Sequence, residues 1–392
     1  MKILQVIPSL SPLHGGPTFV AINLSKALAD RGHTVHLITT DRGGVADLGL
    51  LNNVTVTVLK ETFAPYAYAP EMSSALQSLM PGTDLVHIHA LYLHSTVRAA
   101  QLAQKFHVPY VIRPAGALDP YHLGRKALKK ALFDRFVHNR VLRNASAFHF
   151  TTEIEKQISA PRTYGRKGFV IPNGLNIDQI DRLAQKGRFR NSWGLDPSKR
   201  LLLFLGRINY KKGFELLIPA FAQLKKEIPN LHLVIAGNDD GHLSTVRELL
   251  GLHGLTADCT ITGFLGSPQK FEALADSEIF VLPSYSENFA NALFEALACG
   301  VPSVISNQVN SWPEIAAAGA GVVVDTKVDE LITALRELLL DSGRRETLSR
   351  LAREFCRQTY DWSSIAERLE VEYQSISDEV SSNWDKATRL SA

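Results

Sequence analysis

Cysteine, methionine and tryptophan are scarce in this sequence: 3, 3 and 4 among 392 residues. Cys259, Cys299 and Cys356 are odd in number and far apart. They form no Cys-x2-Cys metal spacing and suggest no disulfide framework, so a reducing compartment, the cytoplasm, is expected. Long hydrophobic runs are missing as well. No stretch reaches the ~18 uninterrupted apolar residues that a spanning helix requires. The opening MKILQVIPSLSP has one lysine and a short apolar run broken at Pro8, without the core or cleavage site of a secretory signal. Charge of one sign is lacking too: 42 Lys and Arg stand against 39 Asp and Glu, a net charge of +3. That balance excludes a globally basic nucleic-acid binder, and no nucleic-acid partner is expected. Two glycine fingerprints are absent. Without Gly-x-Gly-x-x-Gly a nicotinamide-dependent oxidoreductase has poor support, and without Gly-x4-Gly-Lys-Ser/Thr so has a P-loop NTPase.

What is present is an ordinary globular mix, 45% hydrophobic and 21% charged. The length suggests two domains. Short apolar runs alternate with amphipathic stretches. Strands are expected at 2–8, 34–40, 55–60, 85–90, 110–115, 147–152 and 168–173, then at 201–206, 231–237, 259–264, 279–284, 302–306 and 321–325. Helices are expected at 17–32, 214–227, 244–253, 269–276, 290–299, 329–340 and 344–358. Near-continuous apolar strands separated by helices indicate buried parallel sheets built from βαβ units. Two such series give two doubly wound α/β domains, 1–175 and 176–361, divided at the Pro-, Asn- and Gly-rich PNGLNID (172–178). A terminal helix at about 362–380 is expected to pack back onto the first domain.

Open parallel sheets bind ligands at the carboxyl ends of their strands. Three loops there carry candidate chemistry. In SLSPLHGGPTF, Gly15 and Gly16 precede a helix start that favours anions, although a plain strand-to-helix turn needs no more than this. In GRINYKKG (206–213), Arg207 and Lys212 flank a loop that opens a helix. Two such cations can neutralise a diphosphate, and an ordinary solvated basic turn looks the same. In PSYSENFANALFEALACGVP (283–302), Glu287 sits in a loop and Glu295 lies eight residues on, inside a helix that Gly300 stops. The first carboxylate can accept from sugar hydroxyls and the second from a ribose diol.

Taken in order, these pieces resemble the retaining glycosyltransferases of the GT-B fold, the large family four, also called group 1. Gly15–Gly16, PNGLNID, Arg207 with Lys212, Glu287-x7-Glu295 followed by ALACGVPSV, and Asp361–Trp362 carry the resemblance from residue 1 to about 375. It implies two Rossmann-like domains facing a central cleft. It implies transfer of a sugar from a nucleoside diphosphate to an acceptor hydroxyl, with retained configuration, no cofactor and no metal. UDP-glucose is the first expectation for the donor. Arg207 and Lys212, with Gly15 and Gly16, would bind the diphosphate. Glu287 would contact the donor sugar hydroxyls, and the backbone of Asn288, Phe289, Ala290 and Asn291 would line the sugar and phosphate, with Glu287, Arg207 and Lys212 as the catalytic set. Glu295 would hold the ribose, and the backbone at Leu265 would read the base. A nucleotide-sugar epimerase and a non-catalytic nucleotide-sugar binder share the architecture. The order of the motifs argues against the first, and the intact cation and carboxylate set against the second.

One segment departs from the family. Many relatives have a histidine after the strand that corresponds to 110–115, where this chain reads RPAGALDP. That segment resembles the bacterial exopolysaccharide branch. The acceptor, expected to be a saccharide or lipid-linked saccharide, is therefore assigned to His89, His94, Arg113 and Asp119 as candidates; His89 reads equally well as a structural histidine. The stretch LGRKALKKALFDRFVHNRVLRNA (123–145) interleaves seven Lys and Arg with apolar residues. It is read as a core-packed helix with a solvated basic face, or as a peripheral contact with an anionic membrane at the inner face.

Overall fold

Each half of the chain closes its own parallel sheet. The computed structural model describes residues 1–11, 16–45, 48–119 and 137–390. They fall into two units, Met1–Gly174 with Trp362–Ala392, and Leu175–Asp361.

In the first unit, strands β1 (Lys2–Val6), β2 (Thr34–Thr40), β3 (Val54–Leu59), β4 (Leu85–His89), β5 (Tyr110–Arg113), β6 (Ala147–Phe150) and β7 (Lys167–Val170) form one sheet in the order β3-β2-β1-β4-β5-β6-β7. All pairings between these strands are parallel; Ile3 lies opposite Val35 on one side and Leu85 on the other. Helices α1 (Gly16–Asp30), α2 (Met72–Leu79), α3 (His94–Lys105), α4 (Asn139–Arg143) and α5 (Glu153–Ser159) link them. Side chains alternate across the pleat. Leu4, Val86 and Ile112 enter one core layer with Met72, Leu76 and Ala99. Their neighbours Ile3, Leu85 and Val111 enter the opposite layer with Leu24 and Leu28.

The second unit contains α6 (Ile177–Leu183), α7 (Arg188–Trp193), β8 (Arg200–Leu205), α8 (Phe214–Glu227), β9 (Leu231–Ala236), α9 (Leu243–Leu252), β10 (Cys259–Gly263), α10 (Gln269–Asp276), β11 (Ile279–Leu282), α11 (Asn291–Ala298), β12 (Ser303–Ser306), α12 (Trp312–Ala317), β13 (Val322–Val324), α13 (Val328–Leu340) and α14 (Ser342–Thr359). Its sheet runs β10-β9-β8-β11-β12-β13. The run Leu201–Phe204 is wholly buried, as both faces of a parallel sheet covered by helices require.

The last helix, α15 (Trp362–Leu390), returns to the first unit. Ile365, Leu369, Tyr373 and Ile376, spaced to share one face, join the core layer that holds α1. Gly174 lies where a Cβ would run into the Trp362 indole, so only glycine admits the helix start. The helix runs ten residues beyond the expected end at 380, because nothing in its polar last turns breaks the pattern. Of the basic amphipathic stretch 123–145, residues 123–136 lie outside those described, and α4 is the helical part seen. Among the described residues no helix is long and apolar enough to cross a membrane.

Both sheets reverse direction once. The reversal lies between β1 and β4 in the first unit and between β8 and β11 in the second. Such a switch point opens a crevice between the two loops that leave it.

Candidate functional site

The crevice of the second unit is built by the loops after β8 and β11. They are joined at the backbone, where the Tyr285 amide donates to the Lys211 carbonyl at 2.7 Å. Gly213 opens α8 at φ +72°, and a Cβ there would strike the Pro283 carbonyl. Glycine is required on both counts. Just before it, the Lys212 ammonium pairs with the Glu287 carboxylate across the switch point. Their side chains are only 12% and 14% exposed. Glu287 is held from behind: its amide donates to the Gln308 carbonyl at 3.0 Å, and its carbonyl accepts from the Asn310 amide at 2.9 Å.

Ala290 sits in the left-handed region, at φ 60°, as the cap of α11. A non-glycine residue there costs roughly 1–3 kcal/mol, and such strain clusters at functional positions. The first amides of an α-helix have no partner within the helix. Neither a capping side chain nor an acidic residue in the first turn offsets the positive end of α11. Phe289 turns its side chain into the core of this unit. Its ring is buried and stacks on Phe294 at 4.2 Å, leaving only its backbone toward the loop.

Two further pairs line the same edge. Arg207 is well exposed and reaches Asp240 at 2.8 Å. An exposed pair of this kind is worth at most ~1 kcal/mol, so the guanidinium is readily diverted to an anion. Glu295, in the second turn of α11, meets the Lys270 ammonium at 2.5 Å. Lys270 also lies 4.7 Å from the Phe271 ring centre. Sequence reasoning missed Lys270 and Asp240, because both reach their partners through space, Asp240 from the loop after β9 and Lys270 from the first turn of α10. Leu265 is buried in the core of this unit.

The acceptor-side candidates lie in the first unit. Gly15 is outside the described residues, and Gly16 begins α1. His89 and Arg113 end adjacent strands and stand opposite each other in the register. His89 Nε2 meets Gln5 Oε1 at 2.7 Å, while its Nδ1 is enclosed without a hydrogen bond among the described residues. Burial, then the Arg113 charge and His149, hold the His89 pKa well below the usual imidazole value. It is therefore neutral at pH 7. Arg113 is buried against Asn173, and burial lowers its pKa to about 10. His87 and His149 complete the cluster, with Tyr373 Oη 2.6 Å from His87 Nδ1. Asp119 ends a turn, its amide donating to the Gly116 carbonyl at 3.1 Å. His94 begins α3, apart from this cluster, against Tyr66 and Tyr68. Among the described residues, no three His, Cys, Asp or Glu side chains gather closely enough to hold a metal ion.

The chain matches two family models: "Glycosyl transferase 4-like domain" over residues 15–174 and "Glycosyl transferases group 1" over residues 185–355. It is 26% identical to an uncharacterized glycosyltransferase of Methanocaldococcus jannaschii, over 93% of this chain and 96% of that one. It is 25% identical to a GDP-mannose-dependent alpha-(1-6)-phosphatidylinositol dimannoside mannosyltransferase of Mycobacterium tuberculosis, covering 93% and 95% of the two chains. Its fold matches Anabaena HepE, crystallised in complex with UDP-glucose, at a TM-score of 0.77 and 20% identity, over 96% of this chain and 100% of that one.

Proposed function

The chain belongs to the group 1 glycosyltransferases, with their GT-B architecture of two Rossmann-like domains, and from that premise we propose that it transfers a hexosyl group from a UDP-sugar to a hydroxyl of a saccharide or lipid-linked saccharide. Glucose is the sugar we favour. The reading includes retained anomeric configuration and no requirement for metal. The observation that carries it is the nearly buried Lys212–Glu287 pair across the switch point of the second unit.

A lysine and a carboxylate held out of water are costly unless each has a partner. An arriving diphosphate takes over Lys212 and frees Glu287 to accept from donor sugar hydroxyls. Arg207, held only by an exposed pair, swings to the same phosphates. The N-terminal amides of α11 would add donors without adding charge of their own. In the reaction the bond between the anomeric carbon and the β-phosphate oxygen breaks, and its electron pair leaves with UDP. The acceptor oxygen bonds to the anomeric carbon, and its proton passes to a phosphate oxygen of the leaving group. Arg207 and Lys212 stabilise the charge that grows there, which is the role of a fixed electrostatic clamp. Glu295, oriented by Lys270, is the acceptor for the ribose diol.

The named relatives differ in donor, so the nucleotide is decided by experiment. The protein is incubated in EDTA with UDP-glucose, UDP-galactose, UDP-N-acetylglucosamine and GDP-mannose in turn, and nucleotide release is followed. Release of UDP from UDP-glucose, with the other donors slower, is the expected result. Release of GDP alone would move the donor to GDP-mannose, and release from none would overturn the reading.

A further inference from the structure

The first unit has its own switch point, and an aromatic loop roofs it. Segment 60–71, between β3 and α2, folds back on itself. Phe63 and Tyr68 pair in antiparallel fashion, and the Tyr68 amide donates to the Phe63 carbonyl at 3.1 Å. Pro65 stiffens the short helical turn Ala64–Tyr66, and Ala67 closes it at φ 49°. Arg42, two residues past β2, donates to the Ala64 carbonyl at 2.5 Å and pairs with Glu61 at 3.5 Å. The loop is thus tied down, yet it presents Phe63 at 56% and Tyr68 at 39% exposure.

The two tyrosines of this loop reach across the sheet. Two strands, β2 and β1, separate β3 from β4, a span of about 14 Å at the usual strand spacing. Even so, the Tyr68 ring centre lies 4.5 Å, and that of Tyr66 5.7 Å, from the imidazole of His94, which follows β4. His94 is buried, and its Nδ1 is enclosed without a hydrogen bond among the described residues. Buried polar atoms seldom lack a partner, and one that does so in a fold calls for an explanation. Burial, then the Arg98 charge, lowers the His94 pKa, so the ring is neutral. Four of the seven non-glycine residues with positive φ among those described, Ala67, Ala90, Tyr92 and Ala115, lie on the loops after β3, β4 and β5 at this same edge.

We propose that Phe63 and Tyr68 form the acceptor platform, stacking on the apolar face of a neutral pyranose ring, with His94 as the positioning residue that backs Tyr68. The inference rests on the glycosyltransferase reading above and names the part of the acceptor that is recognised. Charge decides the class of ligand. Arg42 is committed to Glu61, and Arg98 to Ser73 and Gln101. A neutral ligand with a flat apolar face and a polar rim fits exposed aromatic rings set beside a hydroxyl and an imidazole. The position, at the carboxyl edge beside a switch point, is where ligands of such sheets bind.

The test uses the full chain and maltotetraose as the probe, followed by saturation-transfer NMR without donor. The wild-type protein is expected to bind the probe. Phe63→Ala and Tyr68→Ala should weaken binding about tenfold, the effect of losing roughly 1.4 kcal/mol, while Tyr68→Phe retains it. His94→Ala should weaken it less, and should broaden the Tyr68 ring signals. Phosphatidylglycerol vesicles serve as the competing occupant. Binding of the vesicles but not of the sugar, no binding of the sugar by wild type, or equal binding by the alanine variants would overturn the proposal. UDP calorimetry on the same samples reads the donor site separately. Loss of UDP binding in wild type would fail the donor reading while leaving the platform result legible.

Discussion

Replacing Lys212 by alanine separates two effects of one ammonium. In the free protein it is the partner of Glu287, and both side chains are mostly withdrawn from water. Removing one member of a buried pair costs about 3–5 kcal/mol, because the other charge is left behind. The residual exposure here admits water to Glu287, so we expect a cost just below that range, about 2–3 kcal/mol. Alanine should therefore lower the urea midpoint of the second unit, and adding Glu287→Gln should recover part of the loss. In a double-mutant cycle the coupling should exceed about 1 kcal/mol. Catalysis responds differently. Loss of one fixed donor to the leaving group typically costs about 100- to 1000-fold in kcat, and Glu287→Gln cannot restore that. The assay is UDP release from UDP-glucose, with stability followed by circular dichroism. A Lys212→Ala protein that turns over within threefold of wild type would refute the electrostatic argument. An activity loss rescued by Glu287→Gln would show that only the fold had been damaged.

Other positions give sharp outcomes. Gly213→Ala meets the Pro283 carbonyl at a left-handed φ; it should cost about 2 kcal/mol and lower Tm by roughly 4–8 °C, and an unchanged melt would contradict the geometry. Glu295→Gln should weaken UDP about tenfold, the effect of one charge-assisted hydrogen bond, with little change for 2′,3′-dideoxy-UDP; equal losses for both would remove the ribose role. His149 is held neutral by burial, which lowers its pKa to about 3. The unfolded chain therefore binds the extra proton first as pH falls below the ordinary value near 6.5. Stability is complete above that pH and falls toward pH 3 by at most about 1.4 kcal/mol per unit. Urea unfolding at pH 7 and pH 5 should show this loss in wild type and a smaller one in His149→Gln, which keeps a donor for the Ile171 carbonyl; identical slopes would refute it.

Much of the fold was legible because its strands are apolar on both faces. LLLFLG at 201–206 reads as a buried strand without help, and β8 is Arg200–Leu205. Helices with full amphipathic turns and clear ends were equally open, such as α8 at Phe214–Glu227. Short helices were not. In α2 only Met72 and Leu76 are buried, too few to raise a period above the background. The same holds for the six residues of α7. Within the site, the positions of Arg207, Lys212 and Glu287 on strand-end loops could be read from the pattern alone. Their partners could not, because Asp240 and Lys270 are set by strand order rather than by spacing. Phe289 was placed at the site through its backbone, and the stack on Phe294 assigns its ring to the core. The ring cluster around His94 depends on a loop crossing two strands, which no local pattern encodes.

The central claim is that the switch point of the second unit receives a nucleoside diphosphate sugar through Lys212 and Arg207. Calorimetric titration of UDP-glucose in EDTA tests it most directly, with wild type and Lys212→Ala side by side. The account predicts one site per chain in wild type and binding at least tenfold weaker in the variant. Equal affinity in the two proteins, or no binding of any nucleotide sugar by wild type, would contradict it.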